Sequence, residues 1–162
     1  MNKRPPKNGE KIEKIQDLNQ SLAELEEKMR QYPDNKSLKE MHERLQNIKL
    51  GLMPQPVPLE PEPTGPQSTY SCATYAKAIR PDLGSTGHQN GYAYHYRVKF
   101  QDKAFNLGNY NGDLREAIAP GYAITWDPSV PNYNPEAGHV AIVTKVEEGM
   151  VWIAESTTWG TG

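Results

Sequence analysis

The order of local patterns along the chain predicts an α+β fold, with helices first and an antiparallel sheet at the end. Apolar residues recur at helical spacing from Ile12 to Leu52, whereas residues 122–155 contain three short strand patterns. All of the 14 aromatic residues except Tyr32 lie in 69–162, where they can fill a compact core. We therefore expect a sheet-containing domain in the second half and a distinct helical segment in the first.

Composition divides the 162 residues into four regions. A polar tail at 1–9 is expected to be disordered. A helical segment at 10–52 is followed by a proline-rich linker at 53–68, and the sheet-containing domain occupies 69–162. The linker has six prolines between positions 53 and 66, which favours an extended, semi-rigid spacer. A proline ligand for an SH3-like partner is the weaker alternative.

The helical segment predicts a hairpin or a coiled coil. One apolar stripe runs from Ile12 to Tyr32, Pro33 interrupts it, and a second stripe runs from Leu38 to Leu52. Residues 37–40, SLKE, have the spacing of a capping box that would start the second helix. The segment could be a solvated spacer, but narrow stripes usually bury against another helix. We expect it to self-associate or to dock on a partner protein.

Several classes of protein are not favoured by this sequence. The net charge is −2 and neither half has a basic excess, so no nucleic-acid partner is expected. No run approaches the roughly 18 apolar residues that a membrane span needs. The basic N-terminus is not followed by an apolar stretch, so no signal peptide is predicted. One cysteine allows no intramolecular disulfide, and we expect neither a metal nor another cofactor.

Cys72, the single cysteine, is predicted to lie in the first turn of a helix over 72–79. Ser71 or Thr69 can cap this helix, and Pro81 ends it. Backbone amides and the dipole at a helix N-terminus stabilise an anion, so we expect them to lower the pKa of the thiol. Cys72 is therefore a candidate nucleophile, although a lone cysteine among alanines is more often a buried apolar residue.

His139 and Glu155 could complete a catalytic triad with Cys72. His139 opens a strand over 139–146, a tight turn covers 147–149, and Glu155 ends the next strand. Pairing about residue 148 would place Glu155 opposite residues 140–144, close to His139. The imidazole would pair with the thiolate, and Glu155 would orient it. Alternatively, His139 is a hydrogen-bonded strand-edge residue and Glu155 is solvated. A zinc site is disfavoured because no close-set ligand pair is present.

Residues 69–162 contain four motifs in a distinctive order: SCATYA at 71–76, APGYAITW at 119–126, GHVAIV at 138–143 and WIAE at 152–155. Together they resemble the CHAP family of cysteine- and histidine-dependent amidohydrolases and peptidases. The resemblance implies a papain-like, NlpC-type fold in which the nucleophile helix packs on an antiparallel sheet. It also implies hydrolysis of amide bonds in peptidoglycan, with Cys72, His139 and Glu155 as catalytic residues.

This chain departs from the family pattern at four places. Thr157 stands where the family often has an assisting asparagine, and Tyr122 stands where an acidic residue usually follows Pro-Gly. Residues 64–70 contain no carboxylate, so the calcium site of some members is not expected. Residues 158–162 end the chain where the family normally adds a closing strand. Either the domain is minimal, or a partner completes the sheet, or the chain is processed.

The substrate-binding residues expected from the sequence are aromatic. The oxyanion hole would use the backbone N–H of Cys72 and a second donor from Gln67 or Tyr70. Aromatic side chains that could line a groove for glycan or stem peptide are Tyr70, Tyr92, Tyr94, Tyr96 and Trp126. The alternative is that these side chains fill the core of a small sheet.

We therefore expect a peptidoglycan hydrolase, either an N-acetylmuramoyl-L-alanine amidase or an endopeptidase of the peptide cross-links. Its expected location is in a virion, or in the cytoplasm until release, with action at the bacterial cell wall. One alternative is a catalytically silent structural component of a phage tail or injection-type particle. Another is a protease or isopeptidase with a protein substrate.

Overall fold

The computed structural model describes residues 8–63, 71–83, 107–132 and 135–156. Within these ranges three α-helices precede three β-strands, which confirms the predicted α+β order. The helices are α1 (Asn8–Gln31), α2 (Lys36–Leu52) and α3 (Cys72–Ile79), and the strands are β1 (Ala123–Trp126), β2 (His139–Glu147) and β3 (Met150–Ala154).

The three strands form one antiparallel sheet in the order β1-β2-β3, and α3 packs against it. The core between them is apolar and almost fully buried. It comprises Tyr75, Ala76, Ile79, Leu83, Ala123, Val140, Ile142 and Ala154. The predicted arrangement of the Cys72 helix on an antiparallel sheet is therefore correct. β1 begins at Ala123, one residue later than expected, and β3 ends at Ala154, so Glu155 follows the strand.

The first two helices form the predicted hairpin. Helix α1 begins at Asn8, so the last two residues of the predicted tail are helical. Helix α2 begins before the predicted capping box at Ser37, because the Asn35 side chain accepts a hydrogen bond from the Leu38 N–H at 3.2 Å. Asparagine is among the strongest N-cap residues, and it is available here directly after the Pro33 break.

The helical hairpin is fastened to the sheet-containing domain by a buried carboxylate, Glu116. Its Oε2 accepts hydrogen bonds from Asn19 on α1, at 2.9 Å, and from the Tyr110 hydroxyl. Its Oε1 pairs with Lys49 on α2. Because one carboxylate bonds both helices, the hairpin packs against the sheet-containing domain. The apolar residues beside this contact are Ile12, Leu107, Tyr110, Leu114 and Ala117.

The proline-rich residues 54–63 form neither helix nor strand, and they contact the sheet-containing domain. The Val57 N–H donates to the Pro120 carbonyl at 2.9 Å, and the Glu60 N–H donates to the Ile79 carbonyl at 2.8 Å. Leu59 packs on the core between α3 and the sheet. This stretch therefore contacts the domain as well as connecting it to α2. We call residues 53–63 the strap.

The pattern of residues 113–118 predicts a short α-helix. The structure has a single 3₁₀ turn there, Leu114–Glu116, capped by the Asp113 side chain. A turn this short offers only local bonds, and it is held by the Glu116 contacts to the hairpin. No helix in the described ranges is long and apolar enough to cross a membrane.

Candidate active site

The start of α3 is fixed by Ser71. Its hydroxyl accepts a hydrogen bond from the Thr74 N–H at 3.3 Å and lies 2.9 Å from the Thr74 hydroxyl. Ser71 is therefore the N-cap, and Cys72 is the first helical residue. The Cys72 side chain is partly buried against the core beneath the helix. The predicted position of the thiol at the helix start is confirmed.

The environment of Cys72 shifts its pKa in two directions. Burial is the strongest influence and raises the pKa of the thiol, and the nearby Glu155 carboxylate raises it further. Hydrogen bonds from the backbone N–H groups of Val140, Ala73 and Cys72 lower it. The net pKa is raised, so the expected lowering by the helix start is outweighed by desolvation.

The contribution of Val140 links the two halves of the site. This residue follows His139 on β2, its backbone N–H lowers the pKa of the Cys72 thiol, and it belongs to the core against which Cys72 packs. The sulfur is therefore next to the start of the histidine strand, although residues 72 and 139 are far apart in sequence. Nothing in the valine side chain marks this role, so sequence reasoning missed it.

His139 is held by Glu155. The distance between His139 Nε2 and Glu155 Oε2 is 2.5 Å, and both groups are shielded, with side-chain exposures of 6% and 26%. A charge-assisted hydrogen bond of this length fixes the plane of the imidazole. The carboxylate thus engages the imidazole through Nε2.

A register shift in the β2–β3 hairpin determines where Glu155 lies. Near the turn, Lys145 pairs with Trp152, but beyond the irregularity Val143 pairs with Ile153 and Ile142 with Ala154. Continuing this register places Glu155 opposite Ala141, on the same face as His139. Without the bulge at Thr144, Glu155 would lie opposite Ile142, on the other face. The sequence-based pairing had allowed both positions.

Trp126 lies beside the histidine. It is the strand partner of His139, and the two ring centroids are 5.2 Å apart with their planes tilted by 46°. The structure therefore places this predicted groove residue against the candidate catalytic base. The other predicted substrate residues, Tyr70, Tyr92 and Tyr94, lie outside the described residues, as do Gln67, Tyr96 and Thr157.

The arrangement contains a thiol, an imidazole and a carboxylate in adjacent positions. In the described part of the chain, no group of three or more His, Cys, Asp or Glu side chains has the arrangement of a metal site. The carboxylate contacts the imidazole and is close enough to the thiol to raise its pKa. A thiol, a base and a carboxylate that orients the base are the groups that nucleophilic acyl transfer uses.

Comparison with protein families supports the same chemistry. The model of the CHAP domain matches residues 63–157, which is more than half of the chain and includes all three side chains of the candidate site. Neither the curated proteins nor the solved structures gave a match.

Proposed function

Because this chain belongs to the CHAP domain family, we propose that it hydrolyses an amide bond of bacterial peptidoglycan through a thioester on Cys72. Family membership implies a cysteine- and histidine-dependent amidohydrolase or peptidase acting on peptidoglycan. The specific roles of Cys72, His139 and Glu155 are our proposal, as is the choice of bond.

One observation carries this assignment: the 2.5 Å contact between His139 and Glu155 at the strand end that also presents the Val140 N–H to Cys72. A structural histidine could be satisfied by a backbone carbonyl or by water. A shielded carboxylate on the histidine, next to a cysteine at a helix start, is the arrangement that a thiol hydrolase needs.

In the first half-reaction the proton of the Cys72 thiol moves to His139 Nδ1 as the sulfur attacks the amide carbon. A C–S bond forms and the carbonyl oxygen becomes an oxyanion. The backbone N–H of Cys72, at the start of α3, would stabilise that charge. His139 then gives its proton to the leaving nitrogen, the C–N bond breaks, and an amine departs from a thioester.

In the second half-reaction water attacks the thioester carbon while His139 accepts a proton from it. The C–S bond breaks, the sulfur regains a proton from the imidazolium, and a carboxylic acid is released. Glu155 stays ionised in both steps, where it stabilises the imidazolium and keeps Nδ1 directed at the reacting atoms.

The raised pKa of Cys72 bears on whether the thiol proton moves to His139 before or during attack on the substrate. If burial keeps the resting sulfur protonated, transfer to His139 accompanies attack and does not precede substrate binding. A bound substrate that displaces water and places its carbonyl at the helix start would stabilise the developing negative charge there. The enzyme would then act by general-base catalysis and would not rely on a permanent thiolate–imidazolium pair.

The experiment that tests the function is the analysis of products from purified peptidoglycan. An amidase would release stem peptides with a new L-alanine amino terminus, whereas an endopeptidase would split cross-linked dimers into monomers. Cys72→Ala should release neither product. Mass spectrometry separates the two bond types, and equal release by Cys72→Ala and the unaltered protein would refute the mechanism.

A second candidate is a catalytically silent structural component of a phage tail or injection-type particle, and Thr157 in the place of the assisting asparagine favours it. Labelling of the resting thiol does not separate the candidates, since burial reduces the thiolate fraction in both. Product release does: a silent component leaves peptidoglycan intact with or without Cys72. A third candidate, a protease acting on proteins, would cleave a protein substrate and spare peptidoglycan.

We also propose that the helical hairpin carries the contact to a second copy or to a partner protein. Its exposed large apolar side chains are Tyr32, Met41, Ile48 and Leu50, and no residue of α2 is buried. Light scattering of the purified protein distinguishes self-association from a monomer that needs a partner. The proposed place of action is the bacterial cell wall, reached from a virion or after release from the cytoplasm.

A further inference from the structure

Three segments of the chain meet at the backbone of Gly121, in the turn that enters β1. The Gly121 N–H donates to the Val143 carbonyl on β2 at 2.7 Å. The Gly121 carbonyl accepts a hydrogen bond from Arg80 Nη1, also at 2.7 Å and partly buried. Arg80 is the residue that directly follows α3. One peptide segment therefore joins the C-terminal end of the Cys72 helix to the strand that carries His139.

The third segment at this junction is the strap. Gly121 has φ of +92°, and a Cβ built on it would lie 2.3 Å from the Val57 carbonyl oxygen. Only glycine fits both the backbone conformation and this approach. Burial raises the pKa of the neighbouring Tyr122 hydroxyl, while the Gln55 backbone N–H and the Arg80 charge lower it. The strap thus contacts the backbone of Gly121 through Val57 and the side chain of Tyr122 through Gln55.

The Arg80 side chain has a second partner, Asp82, with Nε–Oδ1 at 3.1 Å. The Asp82 side chain is 61% exposed, whereas that of Arg80 is 15% exposed. An exposed pair of this kind contributes little by itself. Its effect is to hold the guanidinium in the orientation that directs Nη1 at Gly121. The bond from Arg80 to the Gly121 carbonyl matters more, because it is partly buried and an unpaired carbonyl in that position is costly.

A change in the tilt of α3 at its Arg80 end would displace Cys72 at the other end. The helix has eight residues, so Arg80 and Cys72 lie at opposite ends of a rod of about 12 Å. A tilt of about 10° about the Arg80 end would move the sulfur by roughly 2 Å, and displacements of about 1 Å from a reactive geometry can cost about a hundredfold in rate. A small change in the tilt of α3 is therefore enough to misplace the thiol.

We propose that Arg80 is a positioning residue for Cys72: its bond to Gly121 sets the tilt of α3 on the sheet and hence the placement of the sulfur against His139. The inference rests on the proposed function of Cys72. Arg80 touches neither the substrate nor the reacting atoms in this role, and it acts through the helix.

The test uses the full chain and soluble cross-linked peptidoglycan fragments, with kcat and KM measured separately. Arg80→Met retains most of the side-chain volume and removes the donors. It should lower kcat about tenfold or more, with KM changed less than twofold, because binding is kept and the reactive geometry is lost. Arg80→Lys can still donate once to Gly121 and should recover kcat to within about threefold of the unaltered enzyme.

The matched control is Arg30→Met, since Arg30 is an exposed arginine on α1 that pairs with Glu27. It removes the same charge and should leave kcat unchanged. Thermal unfolding is recorded for each variant, and kcat is expressed per folded molecule. If Arg80→Met does not fold, Arg80→Gln replaces it, because glutamine keeps a polar group in the site but is too short to span to Gly121. The same loss of kcat is expected.

The outcomes separate this inference from the proposed function. If Cys72→Ala is inactive while Arg80→Met, or its glutamine replacement, keeps kcat within twofold, Arg80 has only a structural role and the inference is overturned. A rise in KM without a fall in kcat overturns it as well. If Cys72→Ala retains activity, the proposed function fails and the positioning role fails with it. A selective fall in kcat, recovered by lysine, supports the inference.

Discussion

The Glu155 carboxylate provides the most quantitative test of the site. Glu155→Gln keeps the length of the side chain and an oxygen that can accept from His139 Nε2, but it removes the negative charge. A hydrogen bond to a charged group contributes about 1.5–3 kcal/mol, compared with about 0.5–1.5 kcal/mol for a neutral one. The difference of about 1.5 kcal/mol should appear in the transition state, when the imidazole is charged, and corresponds to about a tenfold loss of kcat.

Glu155→Ala should be more damaging, because it also leaves the Nε2–H of a shielded histidine without its carboxylate. Losing the bond and the orientation together should cost about 3 kcal/mol, or roughly a hundredfold in kcat. The assay is the initial rate of new amino termini released from peptidoglycan fragments at saturating substrate. Glu147→Gln serves as the matched control, since Glu147 is an exposed carboxylate on the same sheet that pairs with Lys145.

Two results would refute this reasoning. If Glu155→Gln and Glu155→Ala both keep kcat within twofold, the contact with His139 has no catalytic role. If the glutamine variant is as impaired as the alanine variant while both fold normally, the accepting oxygen contributes nothing and the orienting role assigned to the bond is wrong.

Three further predictions test other parts of the structure. Because burial raises the pKa of Cys72, the iodoacetamide alkylation rate of the substrate-free protein should still rise above about pH 8.5, the ordinary thiol value; a plateau below pH 7 would contradict this. Trp126→Ala should lower kcat about three- to tenfold by removing the ring from His139, whereas Trp126→Phe should stay near the unaltered value, and kinetics on peptidoglycan fragments check both. Glu116→Gln should reduce the free energy of unfolding by about 2–3 kcal/mol at neutral pH, measured by urea denaturation, because Lys49 loses its partly buried partner. Burial raises the pKa of Glu116, but the bonds from Lys49, Tyr110 and Asn19 together lower it. The stabilisation by Glu116 is therefore complete above the ordinary carboxyl range and should disappear as the pH falls through the lowered pKa. A stability difference between the two proteins that persists fully in acid would contradict this prediction.

The elements that the sequence predicted well carry strong local signals. Ser71 before Cys72 and Pro81 after Ile79 mark both ends of α3, and Gly149 permits the tight turn between β2 and β3, where its φ is +78°. Capping groups, proline and glycine act within a few residues, so their effects can be read from neighbouring positions. The helix–strand order and the position of the thiol followed from these signals.

The features that sequence reasoning missed depend on contacts between distant residues. Glu116 bonds Asn19 across 97 positions, and Arg80 bonds Gly121 across 41. Neither pair is marked by a period or a motif. No glycine in the sequence marks the bulge at Thr144, yet this bulge places Glu155 on the same face of the sheet as His139. Burial of Cys72 reverses the expected direction of its pKa shift, because the apolar contacts beneath α3 form only in the folded domain.

The central claim is that Cys72 forms a covalent acyl intermediate, and rapid acid quenching of the enzyme with peptidoglycan fragments tests it most directly. Peptide mapping by mass spectrometry should find the acyl adduct on the peptide containing Cys72 during turnover. The same experiment with Cys72→Ala should give no adduct and a product rate at least about a thousandfold lower. Product release by Cys72→Ala at the rate of the unaltered enzyme, with no adduct in either protein, would contradict the account.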